Sequence, residues 1–401
     1  MAEGAADSLP AARLFQRMSM FYSASFLIAG IYGPFFPLWL AGEGYSPTLA
    51  AIILALPMFV RIAATPMLTL LADVLGNHRA IILALLALCL ACFSAPLLRP
   101  GIVGLAILSA ANCVAYPAIT PLAETFALAG VHRFGLDYGR MRMWGSMTFV
   151  LANLAGGAML ARFGTGVILE LILGGMALTF AVSLLLPLAS DPSDQPARVQ
   201  VSDIGLLLAN PRYTLLLATA AVIQGSHGVL NAFASVSWHT GGLSQGVVGL
   251  LWATGVVAEV LMMAFARRGL VRFGTAGLLV VGGSAALLRW IALGFDPPLG
   301  LLLPLQLLHG LSFGATHIGA MNELARTVPQ RLSATSQGLY AAATAGIAPG
   351  ATVLLSGPLY THLGTHAYWV MAAIAAVGLW MALKFRVQPQ MPAPLNREGA
   401  V

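Results

Sequence analysis

Apolar runs of about 20 residues, the length at which a helix crosses a bilayer, recur along almost the whole chain. Of the 401 residues, 59% are hydrophobic and only 8% are charged, whereas a soluble domain has about 25% charged residues. This composition is typical of a polytopic membrane protein. The chain is therefore predicted to be all-α and embedded in a lipid bilayer.

The apolar runs predict about twelve transmembrane helices in two pseudo-symmetric six-helix bundles. The predicted spans are approximately 15–40, 46–72, 79–97, 101–128, 139–161, 166–188, 212–238, 245–267, 274–294, 299–322, 334–360 and 365–386. The long polar connection at 189–211 is interpreted as a linker between bundles 15–188 and 212–386, with tails at 1–14 and 387–401. A short repeat supports two halves, because the offset that relates Gly76 to Gly274 also relates Arg61 to Glu259.

The distribution of basic residues predicts the orientation in the membrane. With both termini in the cytoplasm, most arginines fall on the cytoplasmic side and only Arg99 and Arg162 on the outer side. The expected location is a bacterial-type inner (plasma) membrane. The net charge of +6 has this explanation, so nucleic acid is not an expected partner.

The apolar stretch 303–323 carries Gln306, His309 and His317 close to one helical stripe. Glu259 and Arg289 lie on the two preceding apolar stretches. Ionisable groups inside a membrane face a protein interior or a cavity and tend to pair. Glu259, Arg289, His309 and His317 are therefore predicted to form a proton-coupling group, with Glu259 and Arg289 as mutual partners. The alternative is a set of interhelical polar contacts with no coupling role.

Polar residues at helical spacing also mark the fourth, fifth, seventh and eleventh spans, which predicts one-sided helices around a wet cavity. Helices 1, 4, 7 and 10 are expected to surround it. Hydrogen bonding between helices is the alternative for any single stripe. The predicted substrate-binding residues are Arg142, Glu124, Arg61, Gln224, His227, Asn231, Gln306 and Tyr340.

The sequence contains no HExxH, P-loop or paired CxxC motif, so no metal or cofactor is expected and ATP-driven transport has no support. Cys89 and Cys92 lie within an apolar span and are interpreted as buried side chains. Residues 310–314 match GxSxG, but a nucleophile elbow needs a strand, a turn and a helix. An intramembrane serine protease remains a remote alternative.

Residues 73–79 resemble the loop after the second helix in the major facilitator superfamily, with Asp73, Gly76 and Arg79 retained and departures at Val74 and Asn77. This resemblance implies a gating loop. Residues 224–227, 251–259, 288–290, 306–309, 313–317 and 355–360, with 138–146 in the first half, resemble the phenylpropionate permease group of that superfamily. The resemblance implies twelve helices, alternating access and proton-coupled uptake of a small organic solute, and we expect the transporter to function as a monomer.

A more distant resemblance to lactose permease covers Glu124, Arg142, Glu259, Arg289 and His317. That permease has a glutamate three residues after its histidine. Here the position is Ala320, and Glu323 comes later. The identity of the proton carrier therefore stays open.

The resemblance to the phenylpropionate permease group implies an aromatic carboxylic acid as the substrate, and Arg142 is the first choice and Arg61 the second choice for its carboxylate. Glu124 can neutralise Arg142, which would suit a neutral sugar or nucleoside instead. Exchange of a drug for protons is a further alternative, because a fold alone does not set the direction of transport.

Overall fold

The computed structural model describes residues 11–98, 101–187, 201–329 and 332–388. Within these ranges the chain is helical and contains no β-strand. Arg99, most of the predicted linker and most of both predicted tails lie outside the described residues. The predicted all-α class is confirmed for the part of the chain that the structure describes.

The contacts divide the chain into two compact units. Unit 1 contains Met1–Tyr45, Phe59–Asp194 and Gly242–Ala253, and unit 2 contains Ser46–Met58, Gln195–Gly241 and Thr254–Val401. Most residues of each predicted bundle fall in one unit, while 46–58 and 242–253 pack with the opposite one. The exact layout of two six-helix bundles stays a prediction.

Within the described residues, unit 1 contains six whole helices and parts of two others. These are α1 (Ala11–Gly42), the larger part of α2 (Pro47–Leu75), α3 (His78–Ser94), α4 (Gly101–Val114), α5 (Tyr116–Phe134), α6 (Tyr138–Phe163), α7 (Val167–Ser183) and the start of α11 (Gln245–Ala264).

Helices α1 and α6 pack closely through small residues. A Cβ atom at Gly30 of α1 would collide with Phe149 and Ala152, and one at Gly156 of α6 would collide with Ile31 of α1. Glycine therefore permits the close approach of two membrane helices here.

Unit 2 contains the start of α2 and the remaining helices. These are α8 (Val201–Leu208), α9 (Pro211–Gly225), α10 (Gly228–Thr240), the end of α11, α12 (Ala266–Leu293), α13 (Leu299–His309), α14 (Thr316–Thr327), α15 (Ser333–Ala341), α16 (Ala348–Leu363) and α17 (Ala367–Val387). Two π-helical segments, Gly310–Ala315 and Ala342–Ile347, join α13 to α14 and α15 to α16.

Nine helical stretches in the described ranges are long and apolar enough to cross a membrane, and one of them, Thr335–Val387, runs through the turn at Gly364. The predicted number of twelve is not reached by this criterion. The difference has three sources: α4 and α5 divide the predicted fourth span, α7 has only 17 residues, and Thr335–Val387 combines the predicted eleventh and twelfth spans. The predicted seventh span is also divided, into α9 and α10, and the tenth and eleventh each contain a π-helical segment.

These interruptions fall in spans predicted to carry polar stripes. Pro117 and Pro349 are the second residues of α5 and α16, and neither can donate a backbone hydrogen bond. The glycines at 225, 228, 310 and 314 lie at the other breaks. Interrupted membrane helices are tolerated where neighbouring groups satisfy the freed backbone atoms.

Candidate functional site

A fully buried arginine forms the centre of the polar cluster in unit 2. Arg289 on α12 has no exposed surface. Its Nη2 donates to Oε1 of Gln306 at 2.5 Å, and its Nη1 donates to Nδ1 of His309 at 3.1 Å. The guanidinium also lies 4.9 Å from the ring centroid of Trp290. Two polar residues of the predicted tenth span thus hold the cation of the predicted ninth.

The contact with Arg289 determines which nitrogen of His309 carries the proton. A guanidinium has only donors, so Nδ1 of His309 must accept, and the proton of the neutral ring is on Nε2. That nitrogen faces Oε2 of Glu259 at 3.7 Å. Glu259 and Arg289 are therefore connected through His309. The predicted partnership is found in an indirect form, with an imidazole between the two charges.

A second histidine lies beside the first. Nδ1 of His227 is 3.2 Å from the backbone oxygens of Ile223 and Gln224, so it acts as the donor. Nε2 of His227 then accepts from the Ser312 hydroxyl at 3.1 Å. The rings of His227 and His309 have their centroids 5.5 Å apart. Because His227 is only 2% exposed, it faces the interior of unit 2 and not lipid.

The π-helical segment Gly310–Ala315 aligns His309 with His317. At about 100° per residue, a regular helix would place these side chains about 80° apart. One extra residue in a π-helical turn removes about 100°, so they lie within about 20° of each other. Phe313 stacks between them, at 5.4 Å from the ring of His309 and 6.4 Å from that of His317.

Four further residues predicted for the site also belong to unit 2. Nδ1 of His317 is 3.1 Å from the Tyr340 hydroxyl. Nε2 of Gln224 donates to the backbone oxygen of Phe313 at 3.3 Å. Asn231 lies on α10, where it is half-buried. These contacts join the seventh span to the tenth through Gln224, and the tenth to the eleventh through His317 and Tyr340.

Unit 1 contains a separate charged cluster. Nη1 of Arg142 lies 2.7 Å from Oε1 of Glu124 and 2.7 Å from the Tyr138 hydroxyl, which itself donates to Oε1 of Glu124 at 3.0 Å. The side chains of Arg142 and Glu124 are 44% and 28% exposed. The charge of Arg142 is therefore already compensated by a direct ion pair.

Arg61 differs from Arg142 in having no such partner. It lies at the middle of α2 and is exposed, and among the described residues its side chain makes no hydrogen bond or ion pair. Charged side chains at mid-membrane face a water-filled cavity and not lipid. Arg61 is thus an uncompensated cation of unit 1.

The predicted gating loop connects α2 to α3. Gly76 adopts φ +63°, a left-handed conformation that favours glycine, and the Asn77 side chain caps α3 by accepting from the Ala80 amide at 3.0 Å. Nε2 of His78 lies 2.9 Å from Oδ1 of Asp73. Arg79 is half-buried in the first turn of α3. Gly274, the repeat partner of Gly76, has φ +65° and breaks α12.

A buried ion pair near the ends of three helices was not predicted from the sequence. Nε and Nη2 of Arg212 lie 2.9 and 2.8 Å from Oε1 of Glu323, and the guanidinium is 4.2 Å from the ring centroid of Phe385. These residues belong to α9, α14 and α17. The sequence around Glu323 gives no signal for its partner, because Arg212 is 111 residues away in the chain.

The GxSxG match at residues 310–314 does not form a nucleophile elbow, as its sequence context indicates. Ser312 lies in a π-helical segment between two helices and not at a strand-to-helix turn. The described residues also contain no group of three or more His, Cys, Asp or Glu side chains that could hold a metal ion.

Comparisons with known proteins place this chain among transporters. The family model described as the MFS_1 like family matches residues 15–371. The "Probable 3-phenylpropionic acid transporter" of Escherichia coli (strain K12) is 29% identical over 378 residues, covering 92% of this chain and 97% of that protein. "Maltose permease" of Geobacillus stearothermophilus is 29% identical over 366 residues, covering 90% and 92%. The crystal structure of nucleoside transporter NupG is similar in fold, with a TM-score of 0.81, 14% identity, and coverage of 94% of this chain and 100% of that chain.

Proposed function

This chain belongs to the MFS_1 like family, whose matched relatives are membrane transporters and not enzymes, and on that premise we propose that it imports a small aromatic carboxylic acid together with protons. It is a multi-pass membrane protein. The proposal also includes secondary active transport by alternating access and function as a monomer. The expected location is a bacterial-type inner membrane, with both termini cytoplasmic.

Proton coupling is supported by the chain of contacts from Arg289 through His309 to Glu259. A proton added to Nδ1 of His309 would point at the guanidinium, so protonation of this ring must break the contact with Arg289. A proton on Glu259 removes the negative charge that lies 3.7 Å from Nε2 of His309. Either event changes the electrostatic environment of a buried cation, which is what a coupled transporter requires.

An anionic substrate is supported by the charge balance of unit 1. Glu124 compensates Arg142 at 2.7 Å, whereas Arg61 has no ionic partner among the described residues. This difference reverses the order expected from the sequence and makes Arg61 our first choice for the carboxylate. The name of the Escherichia coli relative supports an aromatic acid as the class of solute.

A neutral solute is the second candidate. The direct pair of Arg142 and Glu124 offers donors and acceptors with no net charge, which suits the hydroxyls of a sugar or nucleoside. The printed names of the maltose permease and the nucleoside transporter are consistent with such a solute. Exchange of a drug for protons uses the same fold and differs only in direction.

Transport assays in proteoliposomes test these candidates. We expect labelled 3-phenylpropionic acid to accumulate only when the outside is more acidic than the inside, and its uncharged amide not to accumulate. Arg61→Gln should abolish uptake of the acid, whereas Arg162→Gln, at the exposed end of α6, should leave it unchanged. Protein-free liposomes measure passive entry of the protonated acid.

Each rival predicts a different result. Equal uptake of the acid and the amide would favour the neutral-solute symporter. Accumulation of the labelled acid when the inside is the more acidic side would favour proton exchange.

A further inference from the structure

Two buried nitrogen atoms beside each other in unit 2 have unused hydrogen-bond donors. Nε of Arg289 and Nε2 of Gln306 are inaccessible, and neither has an acceptor among the described residues. The two side chains are joined by the hydrogen bond from Nη2 of Arg289 to Oε1 of Gln306. Buried polar groups are nearly always satisfied, so a pair of open donors at one location points to a ligand that accepts.

The charge at this location points to an anion. In the described ranges no carboxylate oxygen lies within ion-pair distance of Arg289, and the acidic group connected to it, Glu259, is one residue removed through His309. A buried cation without a directly bonded counter-charge is costly. An acceptor that also carries a negative charge would satisfy both donors and offset that cost.

We propose that Arg289 and Gln306 form a site for a small monovalent anion, a halide or a carboxylate, whose occupancy rises when Glu259 is protonated. The anion accepts from Nε of Arg289 and from Nε2 of Gln306. Binding itself does not depend on the proposed function. Its linkage to Glu259 deepens the proposed proton coupling, because it explains why a proton and an anion would travel together.

The groups that face Arg289 allow this linkage. His309 and Gln306 contact its guanidinium directly, and Trp290 lies under it. Around them, His227 touches the rings of Trp290 and His309, Glu259 faces His309, and Tyr368 stacks on Trp290. Glu259 is the acidic residue of this set, so its protonation leaves the positive charge of Arg289 least compensated.

Thermodynamic linkage then fixes the sign of the effect. If loss of the Glu259 charge increases the affinity for the anion, the bound anion must increase the affinity of the site for a proton by the same factor. Glu259→Gln mimics the protonated carboxyl. A negative charge at 306, introduced by Gln306→Glu, replaces one donor by an anion attached to the protein.

The experiment measures anion binding to the purified full chain in detergent at constant ionic strength. Sodium bromide and sodium 3-phenylpropionate are compared with sodium sulfate, whose divalent and strongly hydrated anion is costly to bury, by the shift in thermal midpoint and by calorimetry. We expect saturable stabilisation by one or both of the small anions. Glu259→Gln should bind at least about 5-fold more tightly, the lower range of allosteric coupling, and Gln306→Glu should not bind.

Gln337→Glu is the matched control, because Gln337 is exposed and lies on α15. Stabilisation by bromide as well as by the carboxylate identifies a general anion site, whereas stabilisation by the carboxylate alone, if Gln306→Glu removes it, identifies a site selective for carboxylates. Unchanged binding in Gln306→Leu overturns the site, and unchanged affinity in Glu259→Gln overturns the linkage. If the variants fail to fold, anomalous scattering from bromide in crystals of the unsubstituted protein locates the anion directly. The absence of a peak at Arg289, together with the absence of a thermal shift, overturns the proposal.

Discussion

The two units use the same pair of residue types, arginine and glutamate, in different ways. In unit 1, Arg142 and Glu124 are in direct contact at 2.7 Å and are both partly exposed. In unit 2, Arg289 is completely buried and meets the charge of Glu259 only through His309. The first arrangement is a closed ion pair, and the second places a titratable ring between the charges.

This difference indicates which cluster can respond to a proton. An exposed ion pair contributes little, because solvent screens its attraction. A buried cation depends strongly on its few neighbours, so a change of one proton on His309 or Glu259 alters its environment substantially. If the proposed function holds, we therefore expect proton coupling in unit 2 and contact with the solute in unit 1.

A third pair separates the effect of burial from that of direct contact. Arg212 and Glu323 are in direct contact, as in unit 1, but their side chains are only 10% and 7% exposed. Glu323→Ala should lower the free energy of unfolding by roughly 3–5 kcal/mol, because it leaves Arg212 buried without its counter-charge. Denaturant titration in detergent measures this. Glu170→Ala, at an exposed carboxylate of α7, is the control, and equal losses in the two variants would mean that burial does not decide the cost.

The strongest functional contrast is expected between Glu259→Gln and Glu124→Gln. The first should remove accumulation driven by a pH gradient, by about 10-fold or more, while counterflow exchange of solute continues, because the proton-responsive carboxylate is gone. The second should weaken solute binding but keep the response to the gradient. The assay is paired measurement of gradient-driven uptake and counterflow. Loss of gradient response in Glu124→Gln alone would reverse the assignment of the two units.

Removal of the exposed pair should have a small effect on stability. Arg142→Gln is expected to lower the free energy of unfolding by about 0.2–1 kcal/mol, since solvent reaches both side chains. The double variant Arg142→Gln with Glu124→Gln should regain part of that loss. Thermal melting of the single and double variants gives the coupling energy, and a loss as large as that of Glu323→Ala would contradict the comparison.

A last contrast concerns Gly76 and Gly274, the two glycines that the internal repeat relates. Gly76 and Gly274 have φ values of +63° and +65° and are exposed, so alanine at either position should lower the free energy of unfolding by about 1 kcal/mol through backbone strain alone. Gly338→Ala, in helix α15 with open space around it, should instead be neutral or stabilising. The same melting assay applies. Equal losses at 76 and 274 would strengthen the internal repeat, and unequal losses would weaken it.

Much of the fold could be predicted from the sequence, because few kinds of backbone structure can span a lipid bilayer. Apolar length and the scarcity of charge were enough to predict an all-helical membrane protein. The residues of 73–79 and of the second half were enough to identify the superfamily, which the family match to 15–371 confirms. Interrupted helices were missed, because a run that is long enough to span gives no sign of a π-helical segment or of a break at residues 225–228.

The sequence also determined which residue types are costly in a membrane and must find partners: Arg289, Glu259, His309 and Arg142 were all identified in this way. Only the tertiary structure decided which of these side chains are in contact. His309 lies between Glu259 and Arg289, Glu124 forms an ion pair with Arg142, and Arg212 forms one with Glu323. The physical reason is that burial cost is a property of a residue and its local sequence, whereas a hydrogen bond depends on about 3 Å of separation between helices that are distant in the chain.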